Sequence, residues 1–198
     1  IATRGRWVPA PGGALFEALR EEFGDRLHIV AEDLGVMSPD VVELRDSCGF
    51  PGMRVLQFAF GEDPMKHSFV PDAYVPNCVA YPGTHDNDTI VGWFHDDGTG
   101  GTRSSEQCER ERRACCEHLR IAAQEIPWEL ITVLLHSRDG AAIVPLQDVL
   151  GLGSEARRNI PGTMTGNWRW RFREELLTET VMRRLMLITS VARRNGEH

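Results

Sequence analysis

Carboxylates and carboxamides recur in this sequence directly after short apolar runs, the place where α/β proteins keep their chemistry. Ala31-Glu32-Asp33-Leu34-Gly35 closes the apolar run 27–31, and Gln57-Phe58-Ala59-Phe60-Gly61-Glu62 closes the run that starts at Met53. Gly83-Thr84-His85-Asp86-Asn87-Asp88 follows residues 78–81, and Gln147-Asp148-Val149-Leu150-Gly151 follows residues 141–146. Carboxylates brought from different strands to one rim can break a glycosidic bond. One protonates the leaving oxygen, and another works across the bond as nucleophile or base. Glu32, behind an apolar run, has a setting in which partial burial would raise its pKa and make it a general acid. Asp86, between His85 and Asn87, has a polar setting that keeps a carboxylate ionised and able to stabilise oxocarbenium-like charge. Phe58, Phe60, Trp93, Trp168 and Trp170 could offer faces to sugar rings, although each one taken singly reads more readily as a core or rim aromatic.

The elements that must position these residues alternate between helix and strand. Pro11-Gly12-Gly13 leads into an amphipathic run through Leu15, Phe16, Leu19 and Phe23 that stops at Gly24. Ser38-Pro39 reads as an N-cap with proline at the first helical position, and that helix runs to Gly49. Ser104 and Gln107 form a capping-box pattern for a long helix with Cys108, Cys115, Leu119 and Ala122 on one side. Pro127 opens another helix, and a last one carries Val181, Leu185, Ile188 and Ala192 to a stop at Asn195-Gly196. Between the helices, residues 27–31, 53–58, 78–81 and 141–146 read as four short buried strands. Short apolar strands separated by helices predict an α/β fold with a parallel sheet, as one structural unit.

Composition sets outer limits. The chain has 198 residues, 41% hydrophobic and 26% charged, which is ordinary globular usage and enough to bury a core. No apolar run approaches the roughly 18 to 20 residues of a membrane span. The 22 Lys and Arg against 29 Asp and Glu give a net charge of −7, a poor footprint for nucleic-acid binding. The alternating Trp168-Arg169-Trp170-Arg171-Phe172-Arg173 is the one stretch suited to stacked bases and phosphates, and the net charge opposes it. Five cysteines without CxxC spacing suggest neither a disulfide scaffold nor a zinc site, and favour a reduced, intracellular setting. His85, Asp86 and Asp88 fit no metal-ligand template. The glycine-rich 95–101 lacks the Lys-Ser/Thr pair of a phosphate cradle and reads as a mobile connection.

Together, these stretches resemble the 4-α-glucanotransferase family (amylomaltase or disproportionating enzyme) of the α-amylase superfamily. The resemblance is carried by 31–35, 50–60, 83–89 with Gly92-Trp93, 145–153 and 166–171, in the family's order and over nearly the whole chain. It implies a (β/α)8 TIM barrel to which this chain supplies roughly strands five to eight. It also implies that Glu32 is the general acid/base, that Asp86 is the transition-state stabiliser, and that His85, Asn159, Phe58 and Phe60 bind substrate. The implied reaction passes α-1,4-glucan segments between maltooligosaccharides with retention, without a cofactor, metal, nucleic acid or membrane partner. The implied location is cytoplasmic, or a plastid in a photosynthetic eukaryote.

One departure from the pattern stands out. The family's nucleophile is an aspartate in an Arg-x-Asp-His setting some tens of residues before the acid/base, and the stretch before Glu32 holds no such segment. The expectation is therefore that residues 1–198 are the C-terminal part of one catalytic barrel whose nucleophile is encoded upstream, inactive alone. The competing expectation is a non-catalytic module that holds α-glucan without cleaving it.

Overall fold

Glycine and proline mark helix boundaries here as their spacing predicts. The computed structural model describes residues 4–6, 8–35, 37–99, 101–138 and 140–194, apart from the side chain of Gln124. Two compact units divide the chain, 1–53 and 54–198.

In the first unit, helix α1 (Gly12–Phe23) ends at Gly24, whose φ of 92° suits a residue without Cβ. Helix α2 (Pro39–Ser47) begins with proline, which needs no N–H partner there. Ser38 does not cap its backbone; its hydroxyl instead helps hold the Asp40 carboxyl below the usual carboxylate pKa. The Phe16 and Phe50 rings meet edge to face at 4.9 Å, and Arg20 donates to the Cys48 carbonyl at 2.9 Å. These contacts hold α1 against the end of α2.

Residues 27–31 do not form the predicted strand. Leu27 and Ile29 are half-buried while His28 and Val30 are exposed, so the segment is extended with a period of two. Its recorded backbone bond runs from the Ala31 N–H to the Pro51 carbonyl at 2.9 Å. A strand exists only through a ladder of partners, and none runs beside this segment among the described residues.

The second unit is built on a small sheet in the order β1-β2-β3: Gly52–Val55, which straddles the boundary, Cys78–Tyr81, and Ala141–Ala142. Strands β2 and β3 run parallel, with Val79 opposite Ala141 and Ala80 opposite Ala142. Two of the predicted strands are shorter than expected. The chain leaves β1 at Val55 for a 3-10 turn over 56–59, which buries Leu56, Gln57 and Ala59. Strand β3 stops at Ala142, the Ile143 N–H making one more bond to the Ala80 carbonyl at 2.9 Å, and Pro145, which has no N–H to give a ladder, precedes helix α6 (Leu146–Val149).

Helices α3 (Ile90–His95), α4 (Ser105–Leu119), α5 (Ile126–Leu135) and α7 (Glu179–Val191) complete the unit. Helix α5 packs against α3, α6 and α7 and buries Leu130, Ile131, Leu134 and Leu135. At about 1.5 to 3 kcal/mol for each fully buried side chain, α5 is the main hydrophobic anchor of the unit. Helix α7 buries no residue completely; it is fastened by Arg184 over the Trp128 ring at 4.7 Å and by Arg194, which donates to the Leu135 and Ser137 carbonyls. The predicted stop at Asn195-Gly196 lies outside the described residues. Cys108 and Cys115 are buried on the inner face of α4, as small hydrophobes. No helix among the described residues is long and apolar enough to cross a membrane.

The Ser104 hydroxyl accepts from the Gln107 N–H at 3.2 Å, half of a capping box. The Gln107 side chain turns the other way, to Glu111 at 2.9 Å. Glu111 is buried and also receives Arg103 at 2.6 Å and the Trp93 indole N–H at 3.2 Å. Arg103 reaches on to Asp96 at 2.8 Å and to the Trp93 carbonyl at 3.0 Å. The stretch read as a mobile connection is thus tied to both α3 and α4. The pair predicts a large stability effect. Glu111→Ala leaves Arg103 part-buried with only Asp96 opposite, and should cost about 3 kcal/mol. Urea unfolding should show a lower midpoint with an unchanged slope.

Candidate active site

Strand β2 delivers its chain into a tight polar turn. The Asn87 side-chain oxygen accepts from the Thr84 N–H at 2.9 Å and from the Thr84 hydroxyl at 3.0 Å, and the Asn87 N–H returns to the Thr84 carbonyl at 3.2 Å. This closure leaves His85 and Asp86 exposed at the tip. Gly83 allows the close approach beneath, since a Cβ there would stand 2.8 Å from the Gln57 amide nitrogen.

Below the tip, Asp88 anchors the turn. Its carboxylate accepts from the Thr89 N–H at 2.8 Å and the Ser154 hydroxyl at 2.7 Å, with Arg157 at 3.9 Å. Its carbonyl accepts from Gln57 at 2.9 Å. Thr89 then caps α3, accepting from the Gly92 N–H at 3.0 Å, and Asp148 accepts from the Ile90 N–H at 2.7 Å.

The segment that follows α6 reaches back to the tip. Arg157 donates to the Asp86 carbonyl at 2.7 Å and to the Asn159 carbonyl at 2.8 Å. The Asn159 side-chain amide donates to Asp86 Oδ1 at 2.6 Å, and His85 Nε2 lies 3.4 Å from the same oxygen. Asp86 Oδ2 has no protein partner among the described residues. The Trp168 ring lies 5.1 Å from the His85 ring. Asp86, Asp88, Asp96, Asp97, Ser154 and Arg157 help line an open cleft of about 930 Å³. It is strongly acidic, and one guanidinium spans two of its carboxylate-bearing residues.

The predicted site residues separate into three groups. His85, Asp86 and Asn159 meet directly. Phe58 and Phe60 lie in the same unit but inside it: Phe60 is buried against Trp93 and His118, and half-buried Phe58 packs edge-on against Phe69 at 5.5 Å. Trp93 is also core, so neither it nor Phe60 presents an open face to a sugar. Glu32 belongs to the first unit. It is exposed, not part-buried as expected; its neighbour Asp33 is the buried carboxylate, paired with Arg45 and accepting the Met53 N–H at 2.6 Å. Alternation along an extended chain turns successive side chains to opposite sides, so burying Asp33 exposes Glu32.

Ser154 and Arg157 were missed by sequence reasoning. They lie more than sixty residues from the turn they hold, and no local pattern links the two segments.

Comparison with known proteins identifies the family. A family model described as 4-alpha-glucanotransferase matches residues 1–178. The chain belongs to the 4-alpha-glucanotransferase family. It is 45% identical to a 4-alpha-glucanotransferase of a Synechocystis strain over its whole length, covering 37% of that protein. It is 44% identical to one from Thermus thermophilus over 86% of the chain and 33% of that relative. A chloroplastic/amyloplastic 4-alpha-glucanotransferase of Arabidopsis thaliana is 46% identical over 86% of the chain and 28% of its own length. Among solved structures, an amylomaltase from Streptococcus agalactiae in complex with acarbose matches with a TM-score of 0.83 and 34% identity, over 98% of this chain and 37% of that one. The mixed α/β architecture is thus that of this glucanotransferase family. The chain spans just over a third of the length of the first of these relatives.

The site carries a built-in pH dependence. Burial, with Asp88 adding to it, raises the Asp148 carboxyl to about 7, despite the Ile90 N–H that favours its ionised form. An acid whose pKa is raised by folding favours the native state while it is neutral. That contribution is full below about pH 4 and is lost as pH rises through 7, a span worth about 4 kcal/mol. Asp148→Asn keeps an acceptor for Ile90 and cannot ionise. Its stability relative to the parent should therefore rise between pH 5 and pH 8, measured by urea unfolding at each pH; parallel curves would exclude this titration.

Proposed function

We propose that this chain forms part of an α-1,4-glucan transferase that moves maltooligosaccharide segments with retention, as a piece of a longer catalytic protein. The observation that carries the reading is the Asp86 carboxylate, fixed at the end of β2 by Asn159 and Arg157, beside His85, over an acidic cleft. Family membership and the resemblance of each motif to the family's pattern support the individual roles.

In this reading Glu32 gives its proton to the glycosidic oxygen as the bond to C1 breaks. A nucleophilic aspartate from a segment outside this chain takes the glucosyl unit as an ester. Glu32, now ionised, removes the proton from the 4-hydroxyl of the incoming glucan, which displaces the ester and restores both carboxyl groups. Asp86, beside the sugar, stabilises the oxocarbenium-like charge in both steps. Asn159 holds one Asp86 oxygen in place, leaving Oδ2 for the substrate. His85 and Asn159 contact the glucan, Phe58 borders it, and Phe60 supports that side from the core. Carboxylate chemistry of this kind needs no cofactor.

The architecture proposed for the longer protein is a (β/α)8 barrel. Residues 27–31, β1, β2 and β3 would be its fifth to eighth strands, with 1–198 part of a single catalytic domain. Residues 27–31 would then gain their ladder from a neighbouring strand, and the barrel wall would supply the partial burial that Glu32 lacks here. Maltooligosaccharides and starch- or glycogen-derived chains are the proposed substrates. The proposed location is cytoplasmic, or plastid in a photosynthetic source, as for the chloroplastic relative.

Glucose release from maltotriose tests the assignment. In the full-length protein that carries this segment, Glu32→Gln should lower kcat by about 10²- to 10⁴-fold. Asp86→Asn should lower it by about 10²- to 10³-fold. Residues 1–198 alone should release none. Rapid turnover by the short chain would refute an external nucleophile, and full activity of either variant would remove that residue from the mechanism. Glucan binding with no turnover by the full-length protein would favour a binding module.

A further inference from the structure

One large aromatic at the rim of the Asp86 site has no part in the chemistry above. Trp168 is 55% exposed, so it gains little from burial. Its backbone nevertheless sits at φ 61°, a left-handed conformation that is unfavourable for a bulky L-residue. The chain holds it there from both sides. The Trp168 N–H donates to the Arg158 carbonyl at 2.7 Å, and Arg171 donates to the Trp168 carbonyl at 3.0 Å. Asn167, just before it, accepts from the Ile160 N–H at 3.0 Å and donates to the Thr163 carbonyl at 3.2 Å and hydroxyl at 3.0 Å.

These bonds fix the indole in a strained, solvent-facing position, its ring 5.1 Å from His85 at 41°. His85 stands 3.4 Å from Asp86, and the residue paired through the backbone with Trp168, Arg158, is adjacent to Asn159. An open aromatic surface therefore borders three polar groups. A pyranose offers the matching chemistry: a face of C–H groups, slightly positive and suited to the negative face of a ring, and a rim of hydroxyls. Arg171 spends its Nη1 donor on the Trp168 and Trp170 carbonyls, which braces this loop from within.

We infer that Trp168 is the stacking platform for the glucose unit bound beside Asp86, setting affinity for the glucan without taking part in bond breaking. This rests on the preceding assignment of α-1,4-glucan to the site. A backbone at positive φ also supplies a clean test, because glycine adopts it without strain. In the full-length protein, Trp168→Gly should keep or raise the melting temperature. It should weaken binding of an α-1,4-linked glucose heptamer by about tenfold, the worth of one aromatic contact. KM for maltotriose should rise by a similar factor, with kcat nearly unchanged. Trp168→Phe, which keeps a ring, should retain most of the affinity by titration calorimetry.

Unaltered binding by Trp168→Gly overturns the proposal. So does loss of binding that comes with a lowered melting temperature, which would make the residue structural. Asp86→Asn separates this inference from the assignment on which it rests. If that variant turns over normally while Trp168→Gly still loses affinity, the carboxylate assignment fails and the platform stands. If Asp86→Asn is inactive and Trp168→Gly binds normally, the reverse holds.

Discussion

The hydrogen bonds from the Ser154 hydroxyl and the Thr89 amide to the Asp88 carboxylate join two segments 66 residues apart. Much of the site's geometry follows from that junction. It brings the chain after α6 alongside the turn after β2, so that Arg157 can span the Asp86 and Asn159 carbonyls. With Arg157 in place, the Asn159 amide meets the Asp86 carboxylate, and the loop beyond it carries Trp168 back over His85. A short strand and a six-residue helix could not hold such an exposed turn by themselves. Distant side chains converging on one carboxylate do so.

Electrostatics in the second unit repeats one arrangement twice. Arg103 is shared between buried Glu111 and Asp96, tying the connection after α3 to α4. Arg157 stands between the Asp88 carboxylate and the Asp86 backbone and ties the turn after β2 to the segment after α6. In both cases the desolvation of a carboxylate is offset by a guanidinium with several donors, which also fixes direction. Asp148 departs from this arrangement: it is buried beside Asp88 with a backbone N–H and no cation among its recorded partners.

What could be read from the sequence was whatever local chemistry determines. Pro39, Thr84 to Asn87, Ser104 and the apolar face of α5 act within a few residues of their own position, and helix starts and turn placement follow from them. Residues 27–31 could not be judged this way, because apolar alternation shows that a segment can pair and not that a partner is present. Strand β3 is shorter than the apolar run 141–146 suggests, because Pro145 and Leu146 belong to the start of α6. Of the residues named by motif resemblance, His85, Asp86 and Asn159 do come together. The outward position of Glu32 was not legible, since it follows from Asp33 taking the inward place beside Arg45. Phe60 and Trp93 carried the same aromatic signal as Trp168, and only packing separates core rings from the one held at the surface.

Gly92 shows how far the site extends into apparently neutral helix. A methyl group on it would stand 2.5 Å from Asp88 Oδ1 and press on the Ser154 hydroxyl. Helix α3 therefore accommodates its least helix-favouring residue short of proline at the point where the junction lies against its backbone. Grafting the Gly83 to Asp88 turn onto another scaffold would transfer His85 and Asp86 without the surface that seats them. The smallest portable unit is the turn together with the first turn of α3 and the 154–159 segment whose side chains hold the turn. Libraries that diversify only the charged rim would leave untouched the uncharged position that limits which rims can be built.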